Sequence, residues 1–179
     1  MKKILMAATA IFLTVTGANA MDKENTLYLD LKDGRVVIEL DPAVAPKTVA
    51  RIKELTRQGF YNGIKFHRVI PGFMAQTGDP LGTGMGGSGQ KLAAEFNATP
   101  HVRGVVSMAR ANDINSADSQ FFIVLANSQF LDGNYTAFGK VTSGMEFVDK
   151  IKAGTSENNG TVDKPDTIVK MQVAADAEK

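Results

Sequence analysis
The sequence predicts a mainly β fold, a closed eight-stranded antiparallel barrel capped by two α-helices, and three observations lead there. Eight short runs carry strand-forming patterns, at residues 26–31, 36–40, 66–70, 73–76, 105–109, 120–125, 137–141 and 168–173. Only two stretches have helical spacing. Strands and helices do not alternate regularly, which argues against a parallel α/β sheet and for a barrel whose open ends the helices cover.

The first twenty of the 179 residues stand apart from that fold. Met1, Lys2 and Lys3 make a short positive start. An apolar run follows from Ile4 to about Val15, and Ala18-Asn19-Ala20 has the small-x-small pattern of a cleavage site. This is the layout of a secretory signal peptide, with an apolar part shorter than the roughly 20 residues that span a bilayer. An N-terminal anchor or a disordered start is the alternative. Cleavage is expected after Ala20, leaving residues 21–179 as a single domain. The bacterial style of the signal points to the periplasm, with no membrane attachment after cleavage.

In the remainder, Thr26 to Leu31 alternates, Lys32-Asp33-Gly34 offers an Asp-Gly turn, and Val36 to Leu40 returns as the second half of a hairpin. Asp41-Pro42 ends it. Pro46 suits a helix start, Val49, Ile52 and Leu55 recur on one helical face, and Gly59 is a stop signal. Residues 145–151 form the second helix, before Gly154. The end, 174–179, is small, polar and expected to fray.

Composition excludes several chemistries. Loss of Lys2 and Lys3 takes Lys+Arg from 20 to 18 against 19 Asp+Glu, so a near-neutral mature chain has no electrostatic attraction to nucleic acid or an anionic membrane. With no cysteine and two histidines, no disulfide forms and a zinc site lacks ligands. No metal or other cofactor is expected. His67 lies inside an apolar strand and is expected to be a hydrogen-bonded structural residue. Gly82-Thr83-Gly84-Met85-Gly86-Gly87 fits G-x-G-x-x-G, but Pro80 precedes it and no strand–helix unit surrounds it, so a mobile surface loop is expected instead of a dinucleotide site.

Two stretches carry more. Phe66-His67-Arg68-Val69-Ile70-Pro71-Gly72-Phe73-Met74-Ala75-Gln76 sets one guanidinium among large apolar groups, and Ser119-Gln120-Phe121-Phe122-Ile123-Val124-Leu125 puts two phenylalanines side by side. Because strand side chains alternate in direction, one phenylalanine fills the core and the other is displayed outside. Beside Arg68, Phe73 and Met74, that outer ring would make an apolar pocket with one permanent donor. Taken alone, such residues more often mean an ordinary core strand with a surface charge.

Together with Gly104-Val105-Val106-Ser107-Met108-Ala109 and Phe130-Leu131-Asp132-Gly133, followed by Phe138-Gly139-Lys140-Val141, these stretches resemble the cyclophilin family from about Thr26 to Val173. The resemblance implies a peptidyl-prolyl cis/trans isomerase without a cofactor, acting on proline-containing unfolded or partly folded polypeptides of the export route. It implies Arg68 as the catalytic residue and a proline pocket of Phe73, Met74, Phe122 and Leu131. Gln76 and Gln120 match polar groove residues, and Ala109 and Arg110 match the segment whose backbone pairs with the peptide. Phe130 stands where many members have Trp, which implies weak cyclosporin binding. Tyr135 replaces a rim His and Arg110 an Asn. Nothing in the sequence suggests more than a monomer. Two readings from other classes remain: a module that binds proline segments without turnover, and a hollow barrel with an apolar ligand inside, which Phe66, Val69, Val106, Phe121 and Ile123 look sufficient to fill.

Overall fold
Leucine and valine at every second position make the first hairpin. In the computed structural model, which describes residues 21–155 and 157–177, β1 (Thr26–Leu31) pairs antiparallel with β2 (Gly34–Leu40), Thr26 opposite Glu39 and Leu31 opposite Gly34. The turn is therefore Lys32-Asp33, and Gly34 opens β2. A Cβ on Gly34 would fall 2.5 Å from the Phe147 ring, so close packing also favours glycine there. The signal segment, 1–20, and the last two residues of the supposedly frayed end lie outside the described residues.

α1 (Pro46–Arg57) starts with Pro at its first turn and buries Val49, Ile52 and Leu55. Its own sequence supplies no side-chain cap. Instead the Glu95 carboxylate accepts the N–H groups of Lys47 (3.0 Å) and Thr48 (2.8 Å), two of the donors every helix start leaves unpaired. α2 (Met145–Val148) is shorter than expected, and 3₁₀-type bonds carry the turn on to Ile151.

The remaining strands are β3 (Arg68–Ile70), β4 (Met74–Thr77), β5 (Val105–Met108), β6 (Phe121–Val124), β7 (Ala137–Ser143) and β8 (Lys170–Val173). All eight form one antiparallel sheet in the order β3-β4-β6-β5-β7-β2-β1-β8. The expected closed barrel is corrected here: the sheet is an open, curled half-barrel, with β3 and β8 at its edges. The gap is laced by irregular backbone. Gly63 N–H donates to Ile168 O (2.7 Å), Phe66 N–H to Asp166 O (2.9 Å), and Val69 N–H to Gly160 O (2.8 Å). Only isolated bridges form, because Asn159 (φ 56°) and Gly160 (φ 77°) turn the chain out of the extended conformation a ladder needs. The same irregular pairing shortens the predicted 66–70 and 168–173 strands. The 174–177 end is not frayed either: Ala174–Asp176 is a 3₁₀ turn with Ala174 buried, and Asp176 accepts from Arg57 Nε at 2.8 Å.

Apolar packing falls on both faces of the sheet. Inside the curl, Phe66, Val69, Val106, Phe121 and Ile123 are each at most 2% exposed and belong to one cluster with Leu27, Ile38 and Ile52. Phe121 meets Tyr61 and Phe138 edge-on, at centroid distances of 5.5 and 6.2 Å. The outer face carries a smaller cluster of Met74, Val105, Phe122, Val124, Leu131 and Ala137. Phe121 and Phe122 thus face opposite ways, as their adjacency requires, but Phe122 is only 4% exposed and is packed instead of freely displayed. Truncation of Phe121 to Ala is expected to lower stability by about 3–5 kcal/mol, read from urea unfolding. A loss below about 1 kcal/mol would contradict this packing.

Candidate functional site
Directly opposed residues on neighbouring strands share a face, so sheet register alone lines up the outer row. Arg68 on β3 faces Gln76 on β4, Gln76 faces Phe122 on β6, and Phe122 faces Ser107 on β5. Arg68 is half-buried and held on two sides. Its Nε donates to Asn159 O (2.9 Å), one terminal nitrogen to Asn159 Oδ1 (2.8 Å), and the other to Gln76 Oε1 (3.2 Å). Every one of these acceptors is neutral. Burial pushes the guanidinium pKa down from its ordinary value, with Tyr135 opposing, yet an arginine stays protonated at neutral pH. Gln76 passes the chain on, its Nε2 donating to Gln120 Oε1 at 2.9 Å. Gln120 Nε2 donates to Gly84 O and Gly86 O, at 3.0 and 2.8 Å.

A cavity of about 100 Å³ opens beside this row, lined by Arg68, Phe73, Met74, Gln76, Ala109, Arg110, Phe122, Leu131 and Tyr135. Nine of the eleven residues expected from sequence therefore come together. Gln120 lies one step back, holding Gln76. Phe130 sits at the rim, 70% exposed, its ring 5.3 Å from that of Phe73. Tyr135 stands edge-on to Phe122 at 5.9 Å, and the Arg110 guanidinium covers the other side of Tyr135 at 4.8 Å. An apolar floor with the fixed Arg68 guanidinium at its rim can hold a small ring and donate a hydrogen bond to it.

Two supporting residues escaped the sequence reading. Asn159 holds Arg68 through both its main chain and its side chain. Asn158-Asn159-Gly160 reads as a turn, but nothing in the string says which side chain it meets. His101, 1% exposed, bonds Asp132 Oδ1 through Nδ1 (2.9 Å) and Ser107 Oγ through Nε2 (3.0 Å), and its ring lies 6.3 Å behind Phe122. The His101 N–H and imidazole hold the Asp132 carboxyl below the usual range. This fastens the Leu131 turn to β5, and so fixes two walls of the cavity.

Two expectations need correction. His67 is 8% exposed, but neither ring nitrogen has a hydrogen-bond partner. The ring lies under Gly84, which has no side chain to offer, and burial pushes its pKa down. The glycine-rich segment is tied down, not left loose. Buried Asp79 accepts the N–H groups of Leu81 (2.8 Å), Thr83 (2.9 Å) and Gly84 (2.6 Å), and Gln120 holds two carbonyls from the other side. Burial works against the charged form of Asp79, but these amides outweigh it and hold its pKa below the ordinary value.

Comparison with known proteins agrees with this geometry. The family described as Cyclophilin type peptidyl-prolyl cis-trans isomerase/CLD matches residues 26–173. The chain is 50% identical over 193 aligned positions to a probable peptidyl-prolyl cis-trans isomerase of Brucella suis, covering 99% of this chain and 98% of that one. It is 47% identical over 132 positions to peptidyl-prolyl cis-trans isomerase B of Bacillus subtilis, covering 72% and 92%. A cyclophilin crystal structure from Hirschia baltica superposes with a TM-score of 0.77 at 30% identity, covering 87% of this chain and 76% of that one. A Cryptosporidium parvum cyclophilin crystallised in the presence of the dipeptide Ala-Pro superposes with a TM-score of 0.74 at 28% identity, covering 83% and 98%.

The lowered pKa of Asp79 has a testable sign. A carboxyl whose folded-state pKa lies below its unfolded value of about 3.9 stabilises the fold fully above that value and loses the contribution as pH falls through the folded one. The stability difference between the wild type and Asp79→Asn is expected to stay constant from about pH 5 to 8 and to shrink below about pH 4. Urea titrations across that range measure it, and a difference that grows on acidification would contradict the assignment.

Proposed function
The chain belongs to the cyclophilin-type peptidyl-prolyl cis-trans isomerases, and we propose that it works by offering the Arg68 guanidinium to the prolyl nitrogen at the moment the amide is twisted. Amide resonance keeps an X-Pro bond planar, and its uncatalysed rotation has a barrier near 20 kcal/mol. On twisting, the nitrogen lone pair leaves conjugation and becomes a hydrogen-bond acceptor. A donor in reach of that nitrogen binds the twisted form better than either planar isomer, which is the condition for catalysis.

The observation that carries this reading is a cation without a counter-ion at the rim of an apolar cavity. Arg68 gives three of its five N–H groups to Asn159 and Gln76. These bonds fix the guanidinium plane, and two N–H groups remain for the substrate. Since the anchors are neutral, no carboxylate cancels the charge. Phe73, Met74, Phe122 and Leu131 hold the proline ring while the preceding carbonyl swings round. Gln76, held by Gln120, steadies the donor from below, and Ala109 and Arg110 present the chain segment alongside which the peptide lies. The Ala-Pro dipeptide in whose presence the Cryptosporidium cyclophilin was crystallised contains a bond of the same kind.

The natural substrates on this reading are prolyl bonds in proteins still folding after export. Residues 1–20 direct the chain to the periplasm and are removed after Ala20, leaving a one-domain monomer that begins at Met21. Phe130 in place of Trp makes cyclosporin a weak ligand.

Arg68→Ala is expected to lower kcat/KM for an Ala-Pro tetrapeptide by about 10²–10³, the effect of removing one pre-placed donor. Affinity for a non-reactive proline peptide is expected to change far less. Unchanged turnover in the variant would remove Arg68 from its role. The mass of protein recovered from the periplasmic fraction tests the export reading, with Met21 as the expected first residue; an intact Met1–Ala20 segment would overturn it.

A further inference from the structure
Next to the proline cavity lies a second one of about 440 Å³, and the two share Gln76, Ala109 and Arg110 among their linings. They form one continuous groove, so a peptide with its proline in the first places a neighbouring side chain in or over the second. The charge of that second cavity is net positive. Lys91 and Arg110 line it, with Asp118 as the only carboxylate in its wall among the described residues. Asp118 is engaged elsewhere, accepting the N–H groups of Ser88 (2.7 Å) and Gly89 (3.0 Å) and the Ser88 hydroxyl.

The groove cations lack carboxylate partners. Among the described residues Arg110 donates only to the backbone carbonyls of Asn134, Ala111 and Asn112. Lys91 is exposed, and among the described residues no carboxylate lies within ion-pair distance of it. The other arginines show the opposite pattern: Arg35, Arg51, Arg57 and Arg103 each lie within 3.0 Å of an Asp or Glu oxygen. The chain as a whole has a net charge of only +1, so this local excess is not a by-product of general basicity. With Arg68 counted, three cations face the groove without a paired acid. Opposite charges across such a half-sheltered site attract more strongly than on open surface, and ionic strength weakens the attraction.

We infer that this isomerase selects prolyl segments that carry a carboxylate side chain close to the proline, on the side that enters the Lys91–Arg110 cavity. The inference rests on the isomerase reading and names the substrate class of the same site. It is tested with short X-Pro peptides in which Glu, Gln or Lys is placed singly one or two residues before or after the proline, at low salt. At one of these placements the Glu peptide is expected to have a kcat/KM about three- to tenfold above the Gln peptide, with Lys below both, and the spread is expected to narrow as salt rises. Lys91→Glu is expected to shrink or invert the Glu-to-Lys ratio. Each ratio is taken within one protein preparation, so loss of folded protein cancels. Ratios within twofold at every placement, from an enzyme that turns over all the peptides, would overturn the inference while leaving the isomerase reading intact. A Glu preference that Lys91→Glu leaves untouched would overturn its assignment to this cavity. Turnover of none of the peptides would instead overturn the isomerase reading.

Discussion
One guanidinium, half out of water and tethered only to neutral groups, organises the outer face of this protein. Arg68 is fixed by Asn159 on one side and Gln76 on the other. A carboxylate in either place would have gripped it more firmly, but would have cancelled the charge it holds at the cavity rim. The amide anchors keep the position and leave the field. The cost is burial of an uncompensated cation, and the partial exposure of Arg68 keeps that cost within what the fold can bear.

The curled sheet separates stability from chemistry by direction alone. Side chains pointing into the curl, with Phe121 at their centre, make the large core. Those pointing outward from the same strands, Met74, Phe122 and Val124, make the small cluster beneath the cavity. Because β4, β5 and β6 are stapled by the inner core, the outer residues inherit fixed positions without being the main source of stability. His101 completes the arrangement from behind, joining Asp132 beside Leu131 to Ser107 opposite Phe122. Polar bonds hold the apolar walls, and the polar row Arg68–Gln76–Gln120 continues into the glycine-rich loop.

What was legible in the sequence was mostly local. Alternation gave away the β1–β2 hairpin, and Pro46 with Val49, Ile52 and Leu55 gave away α1, because these signals depend on neighbours in the chain. The motif around Arg68 and Phe122 identified the family and brought nine residues to one cavity. The failures were long-range or conformational. Eight strands suggested closure, but closure depends on whether residues 160–168 can lie extended beside β3, and Asn159 and Gly160 at positive φ prevent it. The α1 cap comes from Glu95, about four dozen residues away, and the anchors of Arg68 and Phe122 come from Asn159 and His101. No periodicity encodes such partners. The glycine-rich loop looked slack because glycine is permissive; what disciplines it is the buried carboxylate of Asp79, whose role is visible only once its oxygens are seen among the loop amides.

The central claim is that Arg68 acts on the twisted state and not on substrate binding. Exchange between cis and trans forms of a proline peptide saturating the enzyme, followed by two-dimensional NMR, separates the two. The most direct comparison is the wild type against Arg68→Lys, which keeps the charge but cannot hold Asn159 and Gln76 and still present a donor in a fixed plane. This account requires the on-enzyme exchange rate to fall about tenfold or more while the Kd stays within a few-fold of the wild type. A variant that binds more weakly yet interconverts its bound peptide at the wild-type rate would contradict it.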